Sequence, residues 1–170
     1  MRVVLTGLPG SGKSTLGKSL AARLNLTFLD TDHLITEEEN RSIEKIFSQD
    51  GEAYFRNKER EVLLKVLEKE DVVIATGGGA PCFFDNMEQI NKKAISIYID
   101  PPVRAIASRL MNDKSNIRPM VAGKSAQEVL EFLEMKIKER RPYYSQAHIQ
   151  LQEETIDLEG LIAKIKGAGK

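Results

Sequence analysis

Cysteine is nearly absent: Cys82 is the only one in 170 residues. A lone cysteine excludes an internal disulfide and a cysteine-based zinc cluster, and it fits a reducing compartment. Long apolar runs are absent as well. The apolar stretches are short, strand-like pieces, and residues 1–6 carry neither a charged leader nor a signal-like apolar region, so a soluble cytoplasmic protein with no membrane partner is expected. Charge of one sign is not in excess either, because 25 lysines and arginines balance 25 aspartates and glutamates. Neither nucleic acid nor an acidic membrane is therefore expected as a dominant partner, which leaves small molecules. Internal repeats and low-complexity segments are also lacking. The length suffices for one domain, residues 1–170, with its own core and no need of a structural metal. A monomer is expected.

What is present is an alternation of two periodicities. Short β-branched runs recur at Val3 to Thr6, Val72 to Ala75 and Ile95 to Ile99, with weaker ones at Thr27 to Leu29 and His148 to Leu151. Between them apolar residues recur at helical spacing, as in Leu16/Leu20/Leu24, Val62/Val66, Val129/Leu133/Ile137 and Leu158/Ile162/Ile165. Strand and helix in alternation predict an α/β fold whose parallel sheet is covered on both faces, with ligands beyond the carboxyl ends of the strands. Asn112 to Lys124 alone lacks apolar periodicity, which predicts a mobile loop between two helices. In a phosphoryl-transfer enzyme such a loop is a lid.

Directly after the first β-branched run comes Gly7-Leu8-Pro9-Gly10-Ser11-Gly12-Lys13-Ser14, followed by the first helical pattern. This is a P-loop in the strand-to-helix context that the motif requires. Its glycines let the backbone turn tightly and aim N–H groups inward, where a helix N-terminus adds its positive dipole end. Such a cradle accepts a triphosphate. Lys13 can reach the β- and γ-phosphates, and Ser14 is placed to ligate a Mg²⁺ shared with them.

Other residues are read against blander alternatives. Asp30-Thr31-Asp32 follows the second strand, where Thr31 or Asp32 can cap a helix that begins near Leu34. Mg²⁺ needs a carboxylate, however, and no acid follows the third strand, which makes Asp30 the metal candidate. Asp32, two residues on, can accept a proton or hydrogen bond from a substrate hydroxyl. Asp50-Gly51-Glu52 opens the long helix before the third strand, and within it Arg56 stands four residues after Glu52 and three before Glu59, the spacing of solvated surface pairs. Gly77-Gly78-Gly79 can be a plain turn, although three glycines cost chain entropy unless the backbone must approach something closely. Arg118-Pro119 lies in the predicted lid. Arg140 and Arg141 end a helix just before Pro142, where pairing with the helix dipole is the simpler role.

Taken together, these stretches resemble the shikimate kinases, small P-loop enzymes that move the γ-phosphoryl of ATP to a hydroxyl of a carbocyclic acid. The resemblance covers most of the chain: the P-loop, Asp30-Thr31-Asp32, Arg41-Ser42-Ile43, Asp50-Gly51-Glu52 with Phe55-Arg56 and Glu59, Gly77-Gly78-Gly79-Ala80, Arg118-Pro119 and Arg140-Arg141-Pro142-Tyr143-Tyr144. It implies a three-layer P-loop kinase fold with a five-stranded parallel sheet and a mobile lid at about 112–124. It further implies shikimate contacts from Asp32, Arg56, Gly77, Gly78, Gly79 and Arg140, with Glu59 supporting Arg56. ATP would meet Gly10, Ser11, Gly12, Lys13, Ser14, Thr15, Arg109 and Arg118, and Mg²⁺ would meet Ser14 and Asp30. Lys13, Asp32 and Arg118 form the implied catalytic set. Arg140 rather than Arg141 fits, because one residue separates the family's arginine from its proline. In the lid, Pro119-Met120-Val121 departs from the family's usual leucines. After the fifth strand Gln152-Glu153-Glu154-Thr155-Ile156 follows the family only loosely, and no residue is assigned there.

The implied activity is shikimate 3-phosphorylation, within aromatic amino-acid biosynthesis. A kinase of similar layout acting on gluconate or a nucleoside monophosphate is the enzymatic rival. A nucleotide-dependent switch is the rival from another class, but it would leave the second-substrate residues without purpose, and no Asn-Lys-x-Asp guanine-reading motif is present.

Overall fold

The computed structural model describes residues 1–112, 123–152 and 155–168. Five strands, β1 (Arg2–Thr6), β2 (Thr27–Asp30), β3 (Val72–Ala75), β4 (Ile95–Ile99) and β5 (Ile149–Leu151), pair in the order β2-β3-β1-β4-β5. Every neighbouring pair is parallel. The helices among the described residues are α1 (Lys13–Leu24), α2 (Thr31–Glu39), α3 (Ile43–Val66), α4 (Asn86–Lys93), α5 (Val103–Asn112), α6 (Ala126–Tyr144) and α7 (Leu158–Ala168).

Alternation along the strands sorts the core into two layers. Val3 and Leu5 of β1, Val73 of β3 and Ile97 and Ile99 of β4 pack with Leu16 and Leu20 of α1 and Leu161 and Ile165 of α7. Val4, Val72, Ile74 and Tyr98 face the other way, onto Leu63 and Val66 of α3, Ile90 of α4 and Leu133 of α6. Both faces are thus covered, which is why the strands read as near-continuous apolar runs.

The topology also fixes where a ligand can enter. From β1 the chain leaves through α1 to β2 at the outer edge, whereas from β3 it leaves through α4 to β4 on the opposite side of β1. β1 and β3 are hydrogen-bonded neighbours whose connections diverge, so a crevice opens at their carboxyl ends. The P-loop and the triple glycine are the two segments that border it.

Two local expectations need correction, and a third is borne out. α2 starts at Thr31 rather than near Leu34, and its cap is Asp30, whose side chain accepts from the N–H groups of Asp32 and His33 at 3.1 and 3.4 Å. The strand therefore runs into the helix without a loop. α3 is two helical pieces end to end: Ser42 caps the first, and Gly51 (φ 81°, ψ 175°) separates it from the second, which opens after Gly51 where the sequence places the start of the long helix. α6 continues through Pro142 to Tyr144, because a proline in the last turn forfeits only one hydrogen bond near the end of the ladder. Ile74, fully buried on β3 and in register with Val4, tests the sheet core. Ile74→Ala is expected to lower unfolding free energy by about 2–5 kcal/mol in urea titration, with an unchanged slope.

Candidate active site at the β1–β3 crevice

The P-loop takes its shape from positive-φ glycines. Gly12 (φ 102°) is the residue before α1, which begins without a side-chain cap and so leaves its first N–H groups facing the loop. At Gly7 (φ 139°) a Cβ would stand 2.5 Å from the Ile99 carbonyl oxygen. Lys13 is buried, and its ammonium donates to the carbonyls of Gly7 and Leu8, each at 2.9 Å, which draws the charge into the mouth of the loop. Ser14 donates its hydroxyl to Asp30 Oδ2 at 2.8 Å, while Asp30 Oδ1 caps α2. Capping and facing Ser14 are thus not rival roles, because the two carboxylate oxygens divide them.

On the far side of the P-loop lies a cleft of about 390 Å³ lined by Gly12, Thr15, Pro101, Arg109, Ile156 and Leu158, among others. Arg109 donates to the Ser11 carbonyl at 3.3 Å. Pro101, Ile156 and Leu158 were not assigned to a site from the sequence. The available signal was the return of apolar residues right after the polar stretch that follows β5. Ser11 Oγ is buried with no hydrogen-bond partner among the described residues.

The triple glycine is tight for reasons of space. A Cβ on Gly77 would stand 2.5 Å from Asp32 Oδ1 and 2.7 Å from Glu59 Oε1; one on Gly78 would meet Pro9 Cδ at 2.7 Å and Arg140 Nη1 at 3.2 Å. One on Gly79 would stand 2.5 Å from Arg56 Nη1. Each glycine therefore admits a different part of the candidate site, and Pro9 brings the P-loop against the same backbone. Gly77 N–H donates to Thr31 Oγ1 at 3.0 Å. The N–H groups of Gly78 and Gly79 have no acceptor among the described residues.

Arg56 makes both pairings that its helical spacing predicts, but not as a solvated surface pair. Nη1 donates to Glu59 Oε2 at 2.7 Å, and Nε and Nη2 donate to Glu52 Oε1 at 3.3 and 3.2 Å. Three of its five N–H groups are then taken, which leaves one on each terminal nitrogen. The guanidinium also stacks on Phe83, 4.1 Å from the ring centroid, with Phe55 at 5.1 Å. Glu59 is only 1% exposed. Burial raises its carboxyl to about 7; Arg56 opposes this, Asp32 adds to it as a like charge, and Arg140 opposes it from across the pocket. Arg141, by contrast, points to Asp100 at 3.3 Å, so the adjacent arginines divide between pocket and surface. Arg41 pairs with Glu39 at 2.8 Å and Asp50 at 2.5 Å, bracing the end of α2 against the bend in α3. Burial pushes the Cys82 thiol up to about 11, so it stands in the pocket wall as a neutral group. Arg118 and nearly all of the expected lid lie outside the described residues.

A P-loop on β1, a hydroxyl and carboxylate beside its lysine, and a pocket edge on β3 flanked by two arginines together have the architecture of P-loop phosphotransferases. The family model for shikimate kinase matches residues 9–166. The shikimate kinase of Bacteroides fragilis is 45% identical over 148 residues, 87% of this chain and 82% of that protein. That of Parabacteroides distasonis is 40% identical over 167 residues, 98% and 96% of the two chains. Among solved structures, shikimate kinase from Bacteroides thetaiotaomicron superposes with a TM-score of 0.91 at 36% identity, covering 99% of this chain and 97% of that one. Shikimate kinase from Acinetobacter baumannii, solved in complex with shikimate, gives 0.83 at 33% identity, covering 98% and 91%. The chain belongs to the shikimate kinase family.

Glu59 yields a prediction with a definite sign. Between its ordinary value of 4.5 and its folded value of about 7, the folded protein holds a proton that the unfolded chain has released. Its contribution to stability is complete below the lower value and is lost as pH rises through the upper one. Urea titrations across this window are expected to show a shallower loss of stability with rising pH for Glu59→Gln than for the parent chain.

Proposed function

We propose that this chain transfers the γ-phosphoryl group of ATP to the 3-hydroxyl of shikimate, giving shikimate 3-phosphate and ADP. The observation that carries the reading is the pocket edge at Gly78 and Gly79, two glycines whose N–H groups have no acceptor among the described residues and which pack against Arg140, Arg56 and Pro9 of the P-loop. Paired guanidinium groups and backbone donors suit a small carboxylate, and contact with the P-loop puts its bearer beside the transferring phosphoryl. Family membership selects shikimate over gluconate or a nucleoside monophosphate.

Catalysis in this reading is placement and charge neutralisation. The loop N–H groups and Lys13 hold the β- and γ-phosphates. The acceptor hydroxyl oxygen forms a bond to the γ-phosphorus as the bond to the β,γ-bridging oxygen breaks and ADP departs. Asp32 orients that hydroxyl and accepts its proton. Arg56 and Arg140 bind the acceptor carboxylate, with Glu59 and Glu52 setting the plane of Arg56. Ser14 and Asp30, neighbouring hard oxygen donors, would hold Mg²⁺ together with substrate phosphates, and the ion would supply further charge neutralisation. Arg109 and the cleft beside it receive the nucleotide base, and Arg118 is assigned to the phosphoryl group. No helix among the described residues is long and apolar enough to cross a membrane. A cytoplasmic monomer working on these two small molecules is proposed with the activity.

Coupled ADP release with shikimate, gluconate and nucleoside monophosphates tests the assignment, and turnover confined to shikimate is the expected result. Lys13→Ala is expected to abolish turnover while keeping the native circular dichroism. Arg56→Ala and Arg140→Ala are each expected to weaken shikimate use by about 2–5 kcal/mol with little change in the KM for ATP. Normal shikimate kinetics in both variants would reduce the arginines to structural pairs and remove the substrate assignment.

A further inference from the structure

Tyr144 is fully buried, and its hydroxyl donates to the Gly78 carbonyl oxygen. It stands one helical turn after Arg140 on α6, so both side chains lie on the same face of the helix. Its ring packs on Tyr98 of β4, with centroids 5.0 Å apart and planes tilted by 34°. Burial raises the Tyr144 phenol above its ordinary value and the neighbouring Arg140 charge opposes this, so the hydroxyl is protonated and available as a donor at neutral pH. Gly78 in turn abuts Pro9 of the P-loop. A single side chain thus touches the glycine edge beside the arginine assigned to the acceptor.

The geometry of the peptide bond gives that contact a consequence. In a trans peptide the C=O and the following N–H point to opposite sides, so anchoring the Gly78 carbonyl fixes the direction of the Gly79 N–H. That N–H has no acceptor among the described residues, and Gly79 carries no side chain to restrict its backbone. Without an anchor, a run of three glycines would sample many peptide orientations, and the acceptor would bear the entropy of selecting one.

We infer that Tyr144 is a positioning residue for the acceptor: through its hydroxyl it locks the 78–79 peptide so that the Gly79 N–H, with Arg140 one turn earlier on α6, is held ready for the acceptor carboxylate. This rests on the functional reading above and adds to it a residue that touches neither reactant. Because the anchor acts before the acceptor arrives and not on the transferring phosphoryl, it governs acceptor KM and not kcat. The nearby Tyr98 is an internal comparison, since its buried hydroxyl interacts with Asp100 and Arg141 and not with the glycine edge.

The test uses Tyr144→Phe and Tyr98→Phe in the full chain, each removing one oxygen and keeping the ring stack. Tyr144→Phe is expected to raise the KM and the calorimetric Kd for shikimate about 3- to 10-fold, the range for one neutral hydrogen bond, while kcat and the KM for ATP stay close to the parent values. Tyr98→Phe is expected to leave shikimate affinity unchanged. An unchanged shikimate Kd in a folded Tyr144→Phe chain would overturn the inference. So would equal losses for both substrates, or the same loss from Tyr98→Phe, because either is the signature of a packing defect. A parent chain that does not use shikimate overturns the functional reading and the inference together, whereas a shikimate-active parent beside an unaffected Tyr144→Phe overturns the inference alone.

Discussion

Backbone bare of side chains, at the carboxyl end of β3, is the constraint on which the rest of the pocket depends. Asp32 and Glu59 crowd Gly77, Pro9 and Arg140 crowd Gly78, and Arg56 crowds Gly79. Even one methyl group at any of these positions would displace a charged or P-loop atom. Close-packed interiors do not absorb such a displacement by small general adjustments, so the whole edge moves or none of it does. The site is therefore assembled around an absence of volume, with charges arriving from α2, α3 and α6 against one short stretch of main chain.

The sheet order makes this assembly possible. Since β1 and β3 are neighbours with diverging connections, the P-loop and the triple glycine are brought side by side without any long excursion of chain. Pro9 against Gly78 is where the two loops touch. Phosphoryl transfer needs its two reactants in line and nearly in contact, and in the proposed reading the register of adjacent strands would set that alignment. Rigid strands supply precision that flexible loops alone would not.

Charge in the pocket is arranged by pairing and by selective burial. Glu59 is so deeply placed that desolvation outweighs its attraction to Arg56, while Arg56 keeps a second carboxylate, Glu52, on its more exposed side. Phe83 covers one face of the guanidinium. A planar cation held by carboxylates at its flanks and an aromatic ring on its face has little rotational freedom left, which is the state in which a bidentate contact costs least to form. Lys13, near its own loop carbonyls, remains a compact charge close to where phosphate would sit.

Much of this was legible in the chain itself, because the signals concerned are local. β-branched runs, helical periodicity and the strand-to-helix setting of Gly7 to Ser14 indicated a parallel α/β sheet with a phosphate loop on β1, and all five strand segments form. The three consecutive glycines announced a close approach without saying to what. Helix ends were less legible: Asp30 as the cap of α2 and the passage of α6 through Pro142 depend on partners or on position within a ladder that spacing does not specify, whereas the boundary at Gly51 was marked by the glycine itself. Pairing of Arg56 with Glu52 and Glu59 was visible in the spacing, but a helix presents the same i−4 and i+3 neighbours whether it faces water or a core. Only the packed fold decided that Glu59 is buried, that Phe83 covers Arg56, that Arg141 meets Asp100, and that Tyr144 reaches Gly78. Hydrogen-bonding along the chain and apolar periodicity act over a few residues and are written in order along it; burial and the meeting of distant side chains arise when α3, α6 and the β3 edge close on one another, and no local pattern encodes that distance.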